Sequence, residues 1–130
     1  MLRTLLFIFS LSALWACKTK QLEQISLDGT EWQLKSMDDK AMESVVTLRF
    51  KEDEITGKSF CNQYFSSYKT DAKKLTISAV GATKRACPEL DLERTYFEWL
   101  ASAGAYAMNN KELMIDCEKG KLVFEQSAND

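Results

Sequence analysis

Two cysteines, Cys61 and Cys87, constrain the fold more than any other feature of this chain. The runs Gly57-Lys-Ser-Phe-Cys61-Asn62-Gln-Tyr64-Phe-Ser-Ser-Tyr68 and Thr83-Lys-Arg-Ala-Cys87-Pro88 set each cysteine at the edge of a turn. From Cys61 to Lys69 the side chains alternate. Asn62, Tyr64, Ser66 and Tyr68 share one face of an extended strand, and Gln63, Phe65 and Ser67 take the other. After Cys87 the period changes. Pro88 suits a first helical position, where its missing N–H costs nothing, and Glu89, Asp91 and Glu93 lie at the end of a helix that favours negative charge. Leu92, Tyr96, Trp99, Leu100 and Ala103 recur at helical spacing, with Glu93, Arg94 and Glu98 facing away from them. Gly104 is a natural stop. The fold must therefore bring a strand-rich stretch up against a helix over about residues 88–103.

The flanks supply further strands. Leu27 to Leu34 reads as a turn and then a strand with Trp32 and Leu34 on its apolar face. Val46, Leu48 and Phe50 mark a second half-buried strand, and Lys51 to Glu54 a hairpin tip leading into Ile55 and Gly57. Asp71 to Lys74 is a turn before a short strand at Leu75 to Ser78, and Gly81 to Thr83 opens the approach to Cys87. Leu113, Ile115 and Cys117, then Leu122 and Phe124, form a C-terminal hairpin about the turn Glu118 to Lys121. About seven or eight short strands with turn signals between them predict a mainly β sandwich or small barrel with one helix.

The N-terminus has a different logic. Met1 to Thr4 is short and basic, Leu5 to Leu14 is apolar but too short to cross a bilayer core of roughly 30 Å, and Leu14-Trp15-Ala16-Cys17 resembles a lipobox. Residues 1–16 are read as a lipoprotein signal peptide, Cys17 as the acylated residue, 17–26 as a tether and 27–130 as one domain. The membrane, reached through that lipid, is the expected partner surface, and the location is the cell envelope, with the outer membrane as the expected site. Export also favours disulfide formation. The net charge is −2 with no basic stripe, so nucleic acid is not an expected partner. Histidine is absent, which removes His-based triads, Cys–His dyads and imidazole metal sites. The cysteines lack paired C-x-x-C spacing and the five glycines form no phosphate loop. No cofactor, metal or catalytic residue is expected.

Leu27-x-Gly29-Thr30-x-Trp32-x-Leu34 resembles the opening of a META domain, the module of HslJ-type heat-shock lipoproteins. Gly57-x-x-x-Cys61-Asn62-x-Tyr64-x-x-x-Tyr68 is similar to that family's central signature, and Thr83-x-x-Ala86-Cys87, Glu93, Leu100 and the C-terminal hairpin fit as well. Phe60, Ser66 and Arg85 depart from it where Gly, Gly and Met are common. The resemblance implies a small antiparallel barrel-like sheet with one packed helix, no established catalysis, and a link to envelope stress and drug tolerance.

Each candidate residue has a structural and a functional reading. Cys61 and Cys87 could be a disulfide, a redox pair or two buried thiols; export favours the disulfide, and Cys117 is then left as a core thiol. Asn62 after a turn more often bonds nearby backbone than a ligand. Tyr64 and Tyr68 could line a cavity or fill the barrel, and filling is favoured, with Trp32 and Trp99 as core anchors. The expected function is that of a monomeric, lipid-anchored, non-catalytic envelope module that binds or stabilises a partner protein. Its alternatives are a carrier of a small apolar ligand and an inhibitor of an envelope-attacking hydrolase.

Overall fold

The computed structural model describes residues 26–127; the signal segment, Cys17 and all of the tether but Ser26 lie outside the described residues. The strands are β1 (Glu31–Met37), β2 (Lys40–Ala41), β3 (Thr47–Lys51), β4 (Glu54–Lys58), β5 (Gln63–Asp71), β6 (Lys74–Ile77) and β7 (Gly81–Ala82). Helix α1 (Leu90–Ala101) follows, then β8 (Ala105–Met108), β9 (Glu112–Asp116) and β10 (Lys121–Gln126). Eight of the strands close into an antiparallel barrel in the order β1-β3-β4-β5-β6-β8-β9-β10, with β10 returning to β1. The two-residue strands β2 and β7 are additions on β1 and β5. Closure removes the free edges that a half-apolar sheet would otherwise expose.

Alternation fixes which side chains enter. Tyr64, Ser66 and Tyr68 of β5 are buried and Gln63, Phe65 and Ser67 are exposed, as their parity requires, and Asn62 continues the buried row past the strand end. In β1 the spacing breaks, because Trp32, Leu34 and Met37 are all buried. A bulge between Leu34 and Ser36, opposite Phe124 and Val123, supplies the extra residue and resets the parity. The interior is filled by Trp32, Leu34, Leu48, Phe50, Ile77, Leu100, Ile115, Phe124 and their neighbours.

Three expectations need correction. The helix runs from Leu90 to Ala101, so Pro88 precedes it rather than opening it, and Glu89 sits at the cap position without a side-chain cap bond. Its inward face is Glu93, Tyr96 and Leu100, while Leu92 is 36% exposed, so the helix is rotated from the phase that apolar spacing alone suggests. Trp99 is only half-buried; its indole lies over the turn at Gly120, where an added Cβ would come within 2.5 Å of the ring. The structure also contains a strand that alternation did not reveal. The sequence Ala-Tyr-Ala-Met of β8 has no polar face, and one bridging pair, Lys74 with Ala105, joins it to β6.

Helix α1 lies over one end of the barrel. Its Glu93 reaches the β4–β5 connection, and Ser102 just past its end accepts a hydrogen bond from the N–H of Glu118 in the β9–β10 turn.

Candidate functional site

Where the helix, the β4–β5 connection and the Thr83–Cys87 segment meet, the polar groups are arranged around Asn62 and Glu93. Gly57 permits the approach: a Cβ there would collide with the Thr47 carbonyl and meet Cε1 of Tyr64 at 2.9 Å. With no side chain in the way, the Tyr64 hydroxyl donates to the Thr47 carbonyl at 2.6 Å and lies 2.8 Å from the Tyr96 hydroxyl. Since Tyr64 has one proton and gives it to Thr47, Tyr96 is the donor in that pair. Burial pushes both phenols above their ordinary range, so both stay protonated.

Asn62 uses its whole amide. Its Oδ1 accepts from the Thr83 hydroxyl at 2.9 Å and the Arg85 N–H at 2.6 Å, and its Nδ2 donates to the Arg85 carbonyl at 3.1 Å and Glu93 Oε1 at 2.6 Å. Asn62 thus mimics a strand backbone and holds Arg85 at two points. Thr83 accepts in turn from the N–H of Gln63 at 3.2 Å.

Glu93 supplies the charge. It is 3% exposed, and its Oε2 accepts from the backbone N–H groups of Cys61 at 2.7 Å and Asn62 at 2.8 Å. Burial alone would raise its pKa. The bonds from the Asn62 amide and the two backbone N–H groups, with the Ser59 hydroxyl nearby, outweigh that, and the carboxyl is held below its ordinary value. The Ser59 hydroxyl, also buried, makes no hydrogen bond of good geometry among the described residues, though it lies beside this carboxylate.

The Cys61–Cys87 disulfide clamps the same structure, with Cα atoms 5.8 Å apart and a sequence separation of 26. Cys117 is free and half-buried; burial first, then the Asp116 carboxylate, push its thiol up to about 12, leaving a weak nucleophile at neutral pH.

Outside this cluster lies a groove of about 380 Å³, with Ala82 to Ala86 on one wall, Leu90, Arg94 and Phe97 of α1 on the other, and Asn62 and Glu93 between. A polar groove of about 350 Å³ adjoins it, lined by Lys58, Gln63, Thr83 and Arg85. The arrangement is suited to holding and presenting a surface. A carboxylate already accepting several hydrogen bonds and held ionised is a poor proton acceptor.

Of the residues singled out from the sequence, Gly57, Cys61, Asn62, Tyr64, Thr83 and Cys87 meet here. Trp32 does not; it anchors β1, its indole N–H bonding Thr30 Oγ1 at 2.7 Å. Tyr68 packs edge-on against Phe50 with ring centroids 4.9 Å apart, near the opposite end, where Asp28 and Asp53 add to burial in raising its pKa. Periodicity placed Glu93 in solvent and missed its role, as it missed the Tyr96 hydroxyl. The available signal was phase, since Glu93, Tyr96 and Leu100 fall on one helical stripe.

A META domain family model matches residues 25–129. No curated protein matches the chain. An NMR structure of a protein from Burkholderia xenovorans is similar at 26% identity and a TM-score of 0.67, over 79% of this chain and 85% of that one. A crystal structure of a DUF4847 family protein from Bacteroides vulgatus shares the fold at 15% identity, with a TM-score of 0.61 over 80% of this chain and 96% of that one. With the family model spanning all of the described barrel and helix, the chain belongs to the META domain family.

Proposed function

We propose that this META domain protein is a lipid-anchored, non-catalytic module of the cell envelope that binds a partner protein and so contributes to stress or drug tolerance. The observation that carries the reading is the groove beside the Asn62–Glu93 cluster, on the outside of a barrel whose interior is filled by its own side chains. A filled interior leaves the outer surface as the place for recognition, and lends no support to carriage of an apolar ligand inside the barrel. Acylation at Cys17 would hold the domain within a short tether's reach of the bilayer.

The reading is tested with photo-crosslinkers placed at Arg94, which lines the groove, and at Glu54, on the opposite end, in cells bearing the lipidated protein. Adducts confined to Arg94, with fatty acid on Cys17 by mass spectrometry, are expected. Unlipidated protein, or equal labelling from both positions, would contradict the reading.

A further inference from the structure

The segment from Ala82 to Ala86 is half of a sheet edge. Gly81 and Ala82 pair with β5, the Thr83 N–H bonds the Gln63 carbonyl at 3.0 Å, and Arg85 is held at its N–H and carbonyl by the Asn62 amide. Alternation along an extended chain then turns the backbone groups of Ala82 and Lys84 the other way. No strand pairs with β7 on that side, and neither Lys84 nor Ala86 makes a backbone hydrogen bond among the described residues. Thr83 to Ala86 are all exposed. Sheet edges with unpaired N–H and C=O groups accept a further strand unless something blunts them.

The chemistry around this edge selects what would join it. Ala82, Ala86, Leu90 and Phe97 line the apolar part of the groove alongside. Lys58, Lys84 and Arg85 make no ion pair among the described residues, whereas Arg94 is paired with Asp91 at 3.1 Å on the surface. A chain that is acidic overall therefore carries three uncommitted cations where the edge is open.

Resting on the partner-binding reading above, we propose that the Ala82–Ala86 edge takes an extended acidic peptide segment of its partner as an added strand. Backbone pairing with Lys84 and Ala86 gives affinity, alternate small apolar side chains enter the groove against Leu90 and Phe97, and carboxylates meet Lys58, Lys84 and Arg85. The Asn62–Glu93 cluster is the device that keeps this edge straight and its outer side free.

The probe is a fluorescein-labelled octapeptide alternating glutamate with valine, compared with its lysine–valine counterpart and with a version N-methylated at alternate residues. The acidic probe should bind the folded domain, slow amide exchange at Lys84 and Ala86, and leave Arg85, already bonded to Asn62, unchanged. Lys84→Glu with Arg85→Glu should weaken it by at least about tenfold with an unaltered melting temperature, because the Asn62 bonds to Arg85 are to its backbone. Equal affinity for the lysine or N-methylated peptide, no slowing at Lys84 and Ala86, or binding of laurate but of neither peptide would overturn the proposal. If the charge-reversed protein still crosslinks its partner in membranes as well as the unaltered one, partner binding stands and strand addition falls. If crosslinking fails while the acidic probe binds as described, the edge stands and the envelope-partner reading falls.

Discussion

At one end of the barrel the chain is finished by hydrogen bonds between residues far apart in sequence: Glu93 to Cys61 and Asn62, Asn62 to Thr83 and Arg85, Tyr64 to Tyr96. At the other, tight turns close it locally. Glu52 and Asp53 join β3 to β4 with φ of 50° and 67°, Ala72 sits at 53° between β5 and β6, and Asn109 Oδ1 accepts from the N–H groups of Lys111 and Glu112 between β8 and β9. The first end contains buried polar groups that are satisfied only if the helix, the β4–β5 connection and the Thr83–Cys87 segment all arrive together. The second is closed mainly by such turns, and its longer-range bonds, such as that from the Glu52 N–H to Asp28, are exposed. One end is built to hold a surface in shape, the other merely to reverse the chain.

Glu93→Gln attacks that difference most directly. Whichever carboxylate oxygen becomes an NH2 group then faces a donor, leaving buried N–H groups unpaired at about 1–3 kcal/mol each. A total loss of about 3–5 kcal/mol is expected in urea unfolding. Asp28→Asn at the other end, where an exposed Asp28 Oδ1 accepts from the Glu52 N–H at 2.8 Å, should stay within about 0.5 kcal/mol.

Replacing Cys61 and Cys87 together by Ala should cost about 3–4 kcal/mol through freed chain entropy. Native-state hydrogen exchange should show the loss concentrated in the amides of Cys61, Asn62 and Arg85 rather than in the β3–β4 turn. Mass spectrometry after brief alkylation should find Cys117 unmodified until the fold opens.

How much of each end could be read from the sequence follows from this contrast. Strands β1, β3, β5 and β10 announce themselves by alternation, and the Asn62, Tyr64, Ser66, Tyr68 face is the buried one. The bulge after Leu34 and the strand β8 were not legible: one is an extra residue absorbed by a distant partner strand, the other lacks any polar face. Glu93 escaped periodicity for a related reason. A carboxylate is assigned to water unless its donors are known, and these come from residues about thirty positions away in the chain. The family signature carried what periodicity could not, since its Gly57, Cys61, Asn62, Thr83 and Cys87 are the residues that meet in space.

The two tyrosines sharpen the comparison further. Tyr64→Phe would strand the Thr47 carbonyl and the Tyr96 hydroxyl and should cost about 1–3 kcal/mol. Tyr68→Phe removes a hydroxyl with no protein hydrogen bond among the described residues and should cost under about 0.5 kcal/mol by the same denaturant assay. The smallest effect has the opposite sign. Ala72→Gly relieves a left-handed side chain at about 1–2 kcal/mol and loses about 0.5–1 to backbone entropy, for a net gain near 0.5 kcal/mol.

The central claim is that one ionised, buried carboxylate organises the helix-covered end, and an NMR titration of the Glu93 side-chain carboxyl carbon tests it. Because its folded pKa lies below the ordinary 4.5, its contribution to stability is fully present above the unfolded value and is lost as pH falls through the folded one. The titration should therefore have a midpoint below 4.5, with the amide signals of Cys61 and Asn62 shifting at that same pH. A midpoint at or above 4.5, or Cys61 and Asn62 amides indifferent to the titration, would contradict the account.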